Sequence, residues 1–233
     1  MRKPRLSMLL CTVALVCGAC GTEPDPPSAP PSSPIEVDDA VILTLRAQTD
    51  IALDLRRVEE FRRLLRIARA AVPPQVAAIH SIADSDYSKV ALNATGTIAI
   101  AFDQGRLRTG NDALDALFAR FGLSSARVGE WSPRQDPSSG QFNLYWLTFK
   151  GPIQTALLAR AIQDLHIAEI KYAEPNHTIG GGDTIWATRT EAGWTIVFDH
   201  GEGDCPAGCI QHTRTRVLVD PDGKAHLLGE ENK

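Results

Sequence analysis

Apolar residues at helical spacing mark the first long element of the chain. Within residues 50–72 they recur every third or fourth position, which predicts an amphipathic helix with Asp50 as N-cap and Pro73-Pro74 as its end. The apolar face consists of Ile51, Leu55, Val58, Leu65, Ala68 and Val72, with Phe61 beside it. A short second helix is expected over residues 75–83.

The central part of the chain alternates between strand and helix patterns. Helices are predicted over residues 111–121 and 152–165, and strands over residues 89–93, 97–102, 126–131, 142–149 and 167–172. The pattern does not decide whether 89–93 or 97–102 enters the main sheet. Either choice gives the order βαββαβ, which is typical of a ferredoxin-like α+β fold with a four-stranded antiparallel sheet.

Residues 181–233 are predicted to form a small C-terminal antiparallel β domain after a flexible joint at Gly180-Gly181-Gly182. Two hairpins are expected, with strands at 184–189, 194–198, 213–219 and 225–228 and turns at 191–193 and 220–223. The last four residues are predicted to be frayed.

The first 19 residues have the composition of an export signal. Three basic residues precede a ten-residue, mostly apolar run at 7–16, which is too short to cross a bilayer as a helix, and Gly18-Ala19 supplies the small residues next to a cut. Residues 17–20 resemble a lipobox, although Cys17 stands where that pattern usually has Leu. The resemblance implies cleavage after Ala19 and acylation (palmitate and related chains) on Cys20. The alternative is an ordinary secretory signal.

A proline-rich tether follows the cut. Six of the fourteen residues at 21–34 are Pro, so this segment favours extended polyproline II and spans roughly 40 Å at about 3.1 Å per residue. The predicted organisation is therefore a signal peptide at 1–19, lipidated Cys20 and tether at 20–39, a helical lead-in at 40–86, a ferredoxin-like domain at 87–180 and a β-hairpin domain at 181–233.

Charge excludes one class of partner. The chain carries a net charge of −4, and loss of the three basic residues of the signal makes it −7. An acidic chain argues against nucleic-acid binding, so the lipid is expected to provide the membrane attachment. The predicted helix at 50–72 carries six arginines on its other face, interpreted as a solvated surface or as a surface for lipid headgroups or an acidic partner.

Cys205 and Cys209 are the two cysteines left after the signal and Cys20 are set aside. In an oxidising compartment such a pair predicts a disulfide, worth about 2 kcal/mol for so small a ring. The alternatives are a zinc site completed by His200 and His212, and a redox pair. Because the disulfide is favoured, no metal or cofactor is predicted.

Residues 170–177, Ile-Lys-Tyr-Ala-Glu-Pro-Asn-His, follow a predicted helix at 152–165 and an aromatic strand at 145–149. This stretch resembles the last strand of the N-terminal prodomain of subtilisin-type serine proteases, and the resemblance extends over residues 88–179. In that family the open sheet face packs on the protease and the tail enters the substrate cleft. The matching residues are Tyr172, Glu174, Pro175 and Asn176.

No protease domain follows, and no Ser/His/Asp nucleophile motif is recognisable, so an enzyme is not predicted. The expected function is a non-enzymatic, protein-binding lipoprotein of the cell envelope that modulates a subtilisin-type protease. The alternative is an envelope scaffold that docks another protein or the cell wall through its C-terminal β domain. Gly21 after the acylated cysteine resembles signals for the outer membrane of Gram-negative cells.

Histidines and tryptophans complete the candidates. His80, His166, His177 and His226 have no partner pattern, so surface or core roles are expected. The four tryptophans are expected to fill cores, with an exposed binding face formed by Trp186 and Trp194 as the alternative.

Overall fold

The computed structural model describes residues 35–83, 85–129, 140–177 and 180–232. This part of the chain is α+β, with six helices and two four-stranded antiparallel sheets. The helices are α1 (Asp39–Ala47), α2 (Leu55–Ala70), α3 (Pro74–Ala77), α4 (Gly96–Asp103), α5 (Asp112–Phe121) and α6 (Thr155–Gln163). The strands are β1 (Ser85–Ala94), β2 (Leu123–Val128), β3 (Asn143–Phe149), β4 (Ile170–His177), β5 (Thr184–Thr190), β6 (Gly193–Glu202), β7 (Gln211–Val219) and β8 (Ala225–Asn232).

The first sheet has the strand order β2-β3-β1-β4. Alternate residues of β3 are buried, beginning with Asn143 and Tyr145, as expected for a strand with one face on a core. The residues that fill this core are Leu92 of β1, Ile98 of α4, Phe118 of α5, Tyr145 of β3 and Leu158 of α6, among others. Helices α4, α5 and α6 therefore share one face of the first sheet.

The second sheet has the order β5-β6-β7-β8, and its core includes residues from α1, α2 and α3. Phe61 of α2 packs edge-on against Trp194 of β6, with ring centroids 5.2 Å apart. The N-terminal helices and the C-terminal strands, far apart in sequence, thus bury their apolar residues together.

Helix α2 begins later than its apolar pattern predicted. Asp54, not Asp50, is the N-cap, and its carboxylate accepts hydrogen bonds from the backbone of Arg56 and Arg57. Ala52 instead forms an isolated β-bridge with Ile153. The segment at 48–54 therefore contacts the segment before α6, beside the first sheet.

Residues 97–102 are not a strand, so β1 alone provides the disputed strand of the first sheet. Gly96 has a φ of +59° after β1, and the carboxylate of Glu169 accepts a hydrogen bond from the Thr97 N–H. Ile98 and Phe102, four residues apart, both enter the core, so the run of apolar residues is a buried helix.

Three further differences between the predicted and the observed elements concern a missed helix, a shortened helix and the C-terminus. The sequence pattern did not reveal α1 as a separate helix, and the second predicted helix is confined to Pro74–Ala77. The C-terminus is paired rather than frayed, because β8 continues to Asn232 beside β7. The end of the strand predicted at 126–131 lies outside the described residues, as do Cys20, the signal and the tether.

No helix of the described ranges is long and apolar enough to cross a bilayer.

Candidate functional site

The first sheet has a second face, opposite its three helices, which we call the open face. Its residues come from all four strands and alternate with the core residues. They are Lys89, Ala91, Asn93, Arg127, Leu144, Trp146, Thr148, Tyr172 and Glu174. Neither hydrophobic core includes Leu144, Trp146 or Tyr172, all of which are half-buried.

Strand register orders these side chains into rows. One row runs across the sheet from Arg127 on β2 through Trp146 and Ala91 to Glu174 on β4. The next contains Leu144, Asn93 and Tyr172. A cation and an anion, both exposed, therefore lie at the two edges, with aromatic and aliphatic surface between them.

Asn93 is the unusual polar residue of this face. Its Oδ1 is buried and has no hydrogen-bond partner among the described residues. Such an atom carries a desolvation cost. Ala91 beside it is 2% exposed, so the middle of the open face is buried.

The predicted binding residues all lie in β4, an edge strand paired with β1. Tyr172 is opposite Asn93, and Glu174 is opposite Ala91, so both belong to the open face. Pro175 is opposite Val90, a core residue, and an edge strand tolerates its missing N–H. Asn176 follows, half-buried.

No family model, curated protein or solved structure matches this chain. Its function is therefore inferred from its own residues.

A second group of candidate residues lies at one end of the second sheet. The predicted disulfide between Cys205 and Cys209 is confirmed. Strands β6 and β7 extend further than predicted, so the cysteine loop is shortened to residues 203–210. A Cβ on Gly181 would lie 3.0 Å from the backbone nitrogen of Cys209. The glycine joint therefore packs closely against the disulfide loop.

His200 and His212 each contact a carboxylate. Nδ1 of His200 lies 2.7 Å from Asp183, and the Asp183 carboxylate raises the pKa of His200, with burial opposing it and Glu202 adding to it. Nδ1 of His212 lies 3.1 Å from the fully buried Asp199. Adjacent register positions put the two histidines on opposite faces of the sheet, and both sulfurs of the zinc alternative are in the disulfide.

Arg214 completes the second cluster. Its Nε lies 3.3 Å from Asp199, and its guanidinium stacks 5.2 Å from the centroid of Trp186. Trp186 is 37% exposed, whereas Trp194 is buried on the other side of the sheet. The two tryptophans consequently do not form one face, and of this pair Trp186 is the exposed one.

Two of the histidines without a predicted partner have one. His80 contacts Asp39 at 2.7 Å, and His226 contacts Asp220 at 2.9 Å. The pairs His80–Asp39, His200–Asp183 and His212–Asp199 are separated by 41, 17 and 13 residues. No local sequence spacing reveals contacts at such separations.

Proposed function

We propose that this protein is a lipid-anchored, extracytoplasmic binding module that holds a partner protein against the open face, with a subtilisin-type protease as the partner class. It acts without catalysis. The half-buried row around Trp146 is the observation that carries this proposal.

The arrangement around the first sheet supports a ferredoxin-like fold for this half of the chain. Its strand order, β2-β3-β1-β4, is the one expected when elements in the order βαββαβ form a four-stranded antiparallel sheet. The departure is an additional helix, since both α4 and α5 lie between β1 and β2. Prodomains of subtilisin-type proteases, which residues 88–179 resemble, use the sheet face that here contains Trp146.

The composition of the open face also favours a protein partner. Tryptophan, tyrosine and arginine are the residues enriched where interfaces gain most of their free energy, and Trp146, Tyr172 and Arg127 represent all three. The outer charges, Arg127 and Glu174, would contribute orientation more than affinity.

Inhibition of purified subtilisin-type proteases tests the proposal. The mature chain with Cys20→Ser, which cannot be acylated, is titrated into several proteases that cleave a chromogenic peptide. We expect slower cleavage of the peptide. The Trp146→Ala variant should bind the protease about 30-fold more weakly, as for an interface tryptophan that contributes about 2 kcal/mol.

Trp186→Ala is the matched control, because it removes a partly exposed tryptophan from the other sheet. The Trp186→Ala variant should inhibit the proteases as strongly as the parent chain does. No slowing by the parent chain at about micromolar concentration, corresponding to about −8 kcal/mol, would exclude a protease partner.

A second candidate function is a scaffold that docks an envelope protein or the cell wall through the second sheet. The observation in its favour is Trp186, stacked under Arg214 on an accessible face. Pull-down from the native envelope with the two tryptophan variants separates the functions. A partner lost with Trp186→Ala but kept with Trp146→Ala would favour the scaffold.

The anchor is tested independently by intact-mass measurement of membrane-extracted protein under non-reducing conditions. We expect loss of residues 1–19 and a mass increase from acyl chains on Cys20. A soluble, full-length chain with Met1 intact would refute both the anchor and the compartment.

A further inference from the structure

A cavity of about 620 Å³ lies between α1, α2 and the segment at 80–81, away from the open face. This volume is in the range of pockets that hold small molecules. One wall is a stripe of three arginines on α2, Arg62, Arg66 and Arg69, whose spacing puts them on one side of the helix. The lining therefore contains three arginines, together with the carboxylates of Glu36, Asp38 and Asp39.

Two of these arginines are paired with carboxylates of α1 and its N-cap. Nε of Arg62 lies 3.0 Å from Asp38, and its Nη1 lies 2.6 Å from Glu59. Nη2 of Arg69 lies 2.7 Å from Asp39. The negative charges of Asp38 and Asp39 are therefore balanced by Arg62 and Arg69.

Asp39 is the organising group. It is 6% exposed and accepts hydrogen bonds from Arg69, from His80 and from the backbone N–H of Ser81. Burial raises the pKa of Asp39, but these hydrogen bonds outweigh it and hold the pKa below its ordinary value. An ionised Asp39 therefore fixes both Arg69 and His80 at the cavity wall.

Arg66 and His80 retain free binding capacity. Arg66 is exposed, and no carboxylate among the described residues forms an ion pair with it. The side chain of His80 is 70% exposed, and its Nδ1 lies 2.7 Å from Asp39, so Nε2 is the ring nitrogen on the side away from that contact. Nε of Arg69 is a third donor, buried without an acceptor in the described structure.

The rest of the cavity is partly apolar. Ile42 and Leu65 are buried in its floor, and Val37 at its edge is 45% exposed. Glu36, also at the edge, is exposed and would repel a ligand with two negative charges more strongly than a monocarboxylate.

We propose that this cavity is a binding site for a small organic carboxylate with a short apolar chain. The carboxylate binds the planar guanidinium of Arg66, a geometry that allows two parallel hydrogen bonds, and lies beside the ring of His80. The apolar chain lies against Val37 and Leu65. The site is independent of the proposed protease contact, which lies on the first sheet.

Calorimetric titration of the mature Cys20→Ser chain with hexanoate tests the site. We expect saturable binding of hexanoate, and none of hexan-1-ol, which has the same chain without the charge. Arg66→Ala should weaken hexanoate binding by at least about 10-fold, since hydrogen bonds to charged groups contribute about 1.5–3 kcal/mol. His80→Gln, which retains a donor toward Asp39, should also weaken it.

Arg63→Ala is the matched control, because Arg63 is an exposed arginine of the same helix that does not line this cavity. It should leave hexanoate binding unchanged. Absence of saturable binding, or an equal loss in Arg63→Ala and Arg66→Ala, would overturn the proposal. Inorganic phosphate bound as tightly as hexanoate would overturn the assignment to a carboxylate with an apolar chain.

Discussion

Asp199 is the residue with the most demanding environment in the second sheet. Its side chain is completely buried, and its two oxygens contact His212 at 3.1 Å and Arg214 at 3.3 Å. A buried carboxylate is tolerated only when it is paired and hydrogen-bonded. The same arginine stacks on Trp186, so one carboxylate holds a histidine, an arginine and indirectly a tryptophan in position.

Asp199→Ala should therefore destabilise the protein strongly. We expect a loss of about 3 kcal/mol in the free energy of unfolding, because Arg214 and His212 lose a partner in a desolvated site. Urea denaturation measures the change. Asp222→Ala, in the exposed turn before β8, should remain within about 0.5 kcal/mol of the parent chain. Equal effects of the two substitutions would contradict a structural role for Asp199.

The raised pKa of His200 makes the free energy of unfolding depend on pH. The Asp183 carboxylate raises its pKa in the folded state above the unfolded value of about 6.5. The folded protein then binds the proton more tightly, so the added stability is complete below the unfolded pKa. It is lost as pH rises through the folded pKa.

We expect the free energy of unfolding to fall as pH rises above about 6.5, and to fall less in Asp183→Asn. The asparagine can still accept the hydrogen bond from the Gly201 N–H but has no charge to hold the proton on His200. Glu202→Gln, which removes the weaker neighbour, should give an intermediate slope. An unchanged slope in Asp183→Asn would refute the assignment to this pair.

At the scale of elements, the hairpin β5–β6 depends on Gly193. Its φ is +131°, and a Cβ there would lie only 2.2 Å from the carbonyl oxygen of Val219 on β7. Gly193→Ala should cost more than about 2 kcal/mol, because the backbone strain is joined by a clash between neighbouring strands. Thermal unfolding measures the loss.

Gly105→Ala provides the comparison. Gly105 also has a positive φ, +70°, but a Cβ added there would have no atom within 4 Å. Only the conformational cost applies at this position, about 1 kcal/mol. If Gly105→Ala were as destabilising as Gly193→Ala, close packing against Val219 would not be the cause.

The elements that were predictable from sequence are those with a strong local signal. Strand β3 is rich in aromatic and apolar residues, which favour a strand, and the helix at 112–121 is capped by Asn111 and ended by Gly122 in the left-handed conformation. Helix α4 was mistaken for a strand because Ile98 to Phe102 is apolar on nearly every side. Such a run does not distinguish a buried helix from a buried strand.

The candidate sites were less accessible to sequence reasoning. The disulfide was predictable because two cysteines remained once the predicted export signal and Cys20 were set aside. The carboxylate partners of His80, His200 and His212 were not, since each pair forms only when distant elements pack. The open face was suggested by Tyr172 and Glu174, but its row through Trp146 depends on strand register.

For the molecule as a whole, two cores are joined within one compact unit, residues 33–233. Gln154 is one link: its backbone N–H donates to Ile51, its side chain donates to the carbonyl of Leu45, and its Oε1 caps α6 at Ala156. The Ile82 N–H donates to Asp183 at 2.9 Å, a second connection near the glycine joint. The Gln154 contacts join α6 to α1, and the Ile82 contact joins the segment before β1 to the segment before β5.

We therefore expect both cores to unfold in one cooperative transition. One variant keeps only Trp146, which reports the first sheet, and another keeps only Trp186, which reports the second; the other tryptophans become Phe. The urea unfolding curves of these two variants should coincide.

Gln154→Ala, introduced into each, should separate the curves and lower the unfolding midpoint of the first sheet, because the link and the α6 cap are lost together. Gln163→Ala removes a side-chain bond to Ala173 inside the first half, so it should lower stability while the curves still coincide. Separate transitions in the parent pair, or separation by Gln163→Ala as large as by Gln154→Ala, would show that the two cores are not coupled through Gln154.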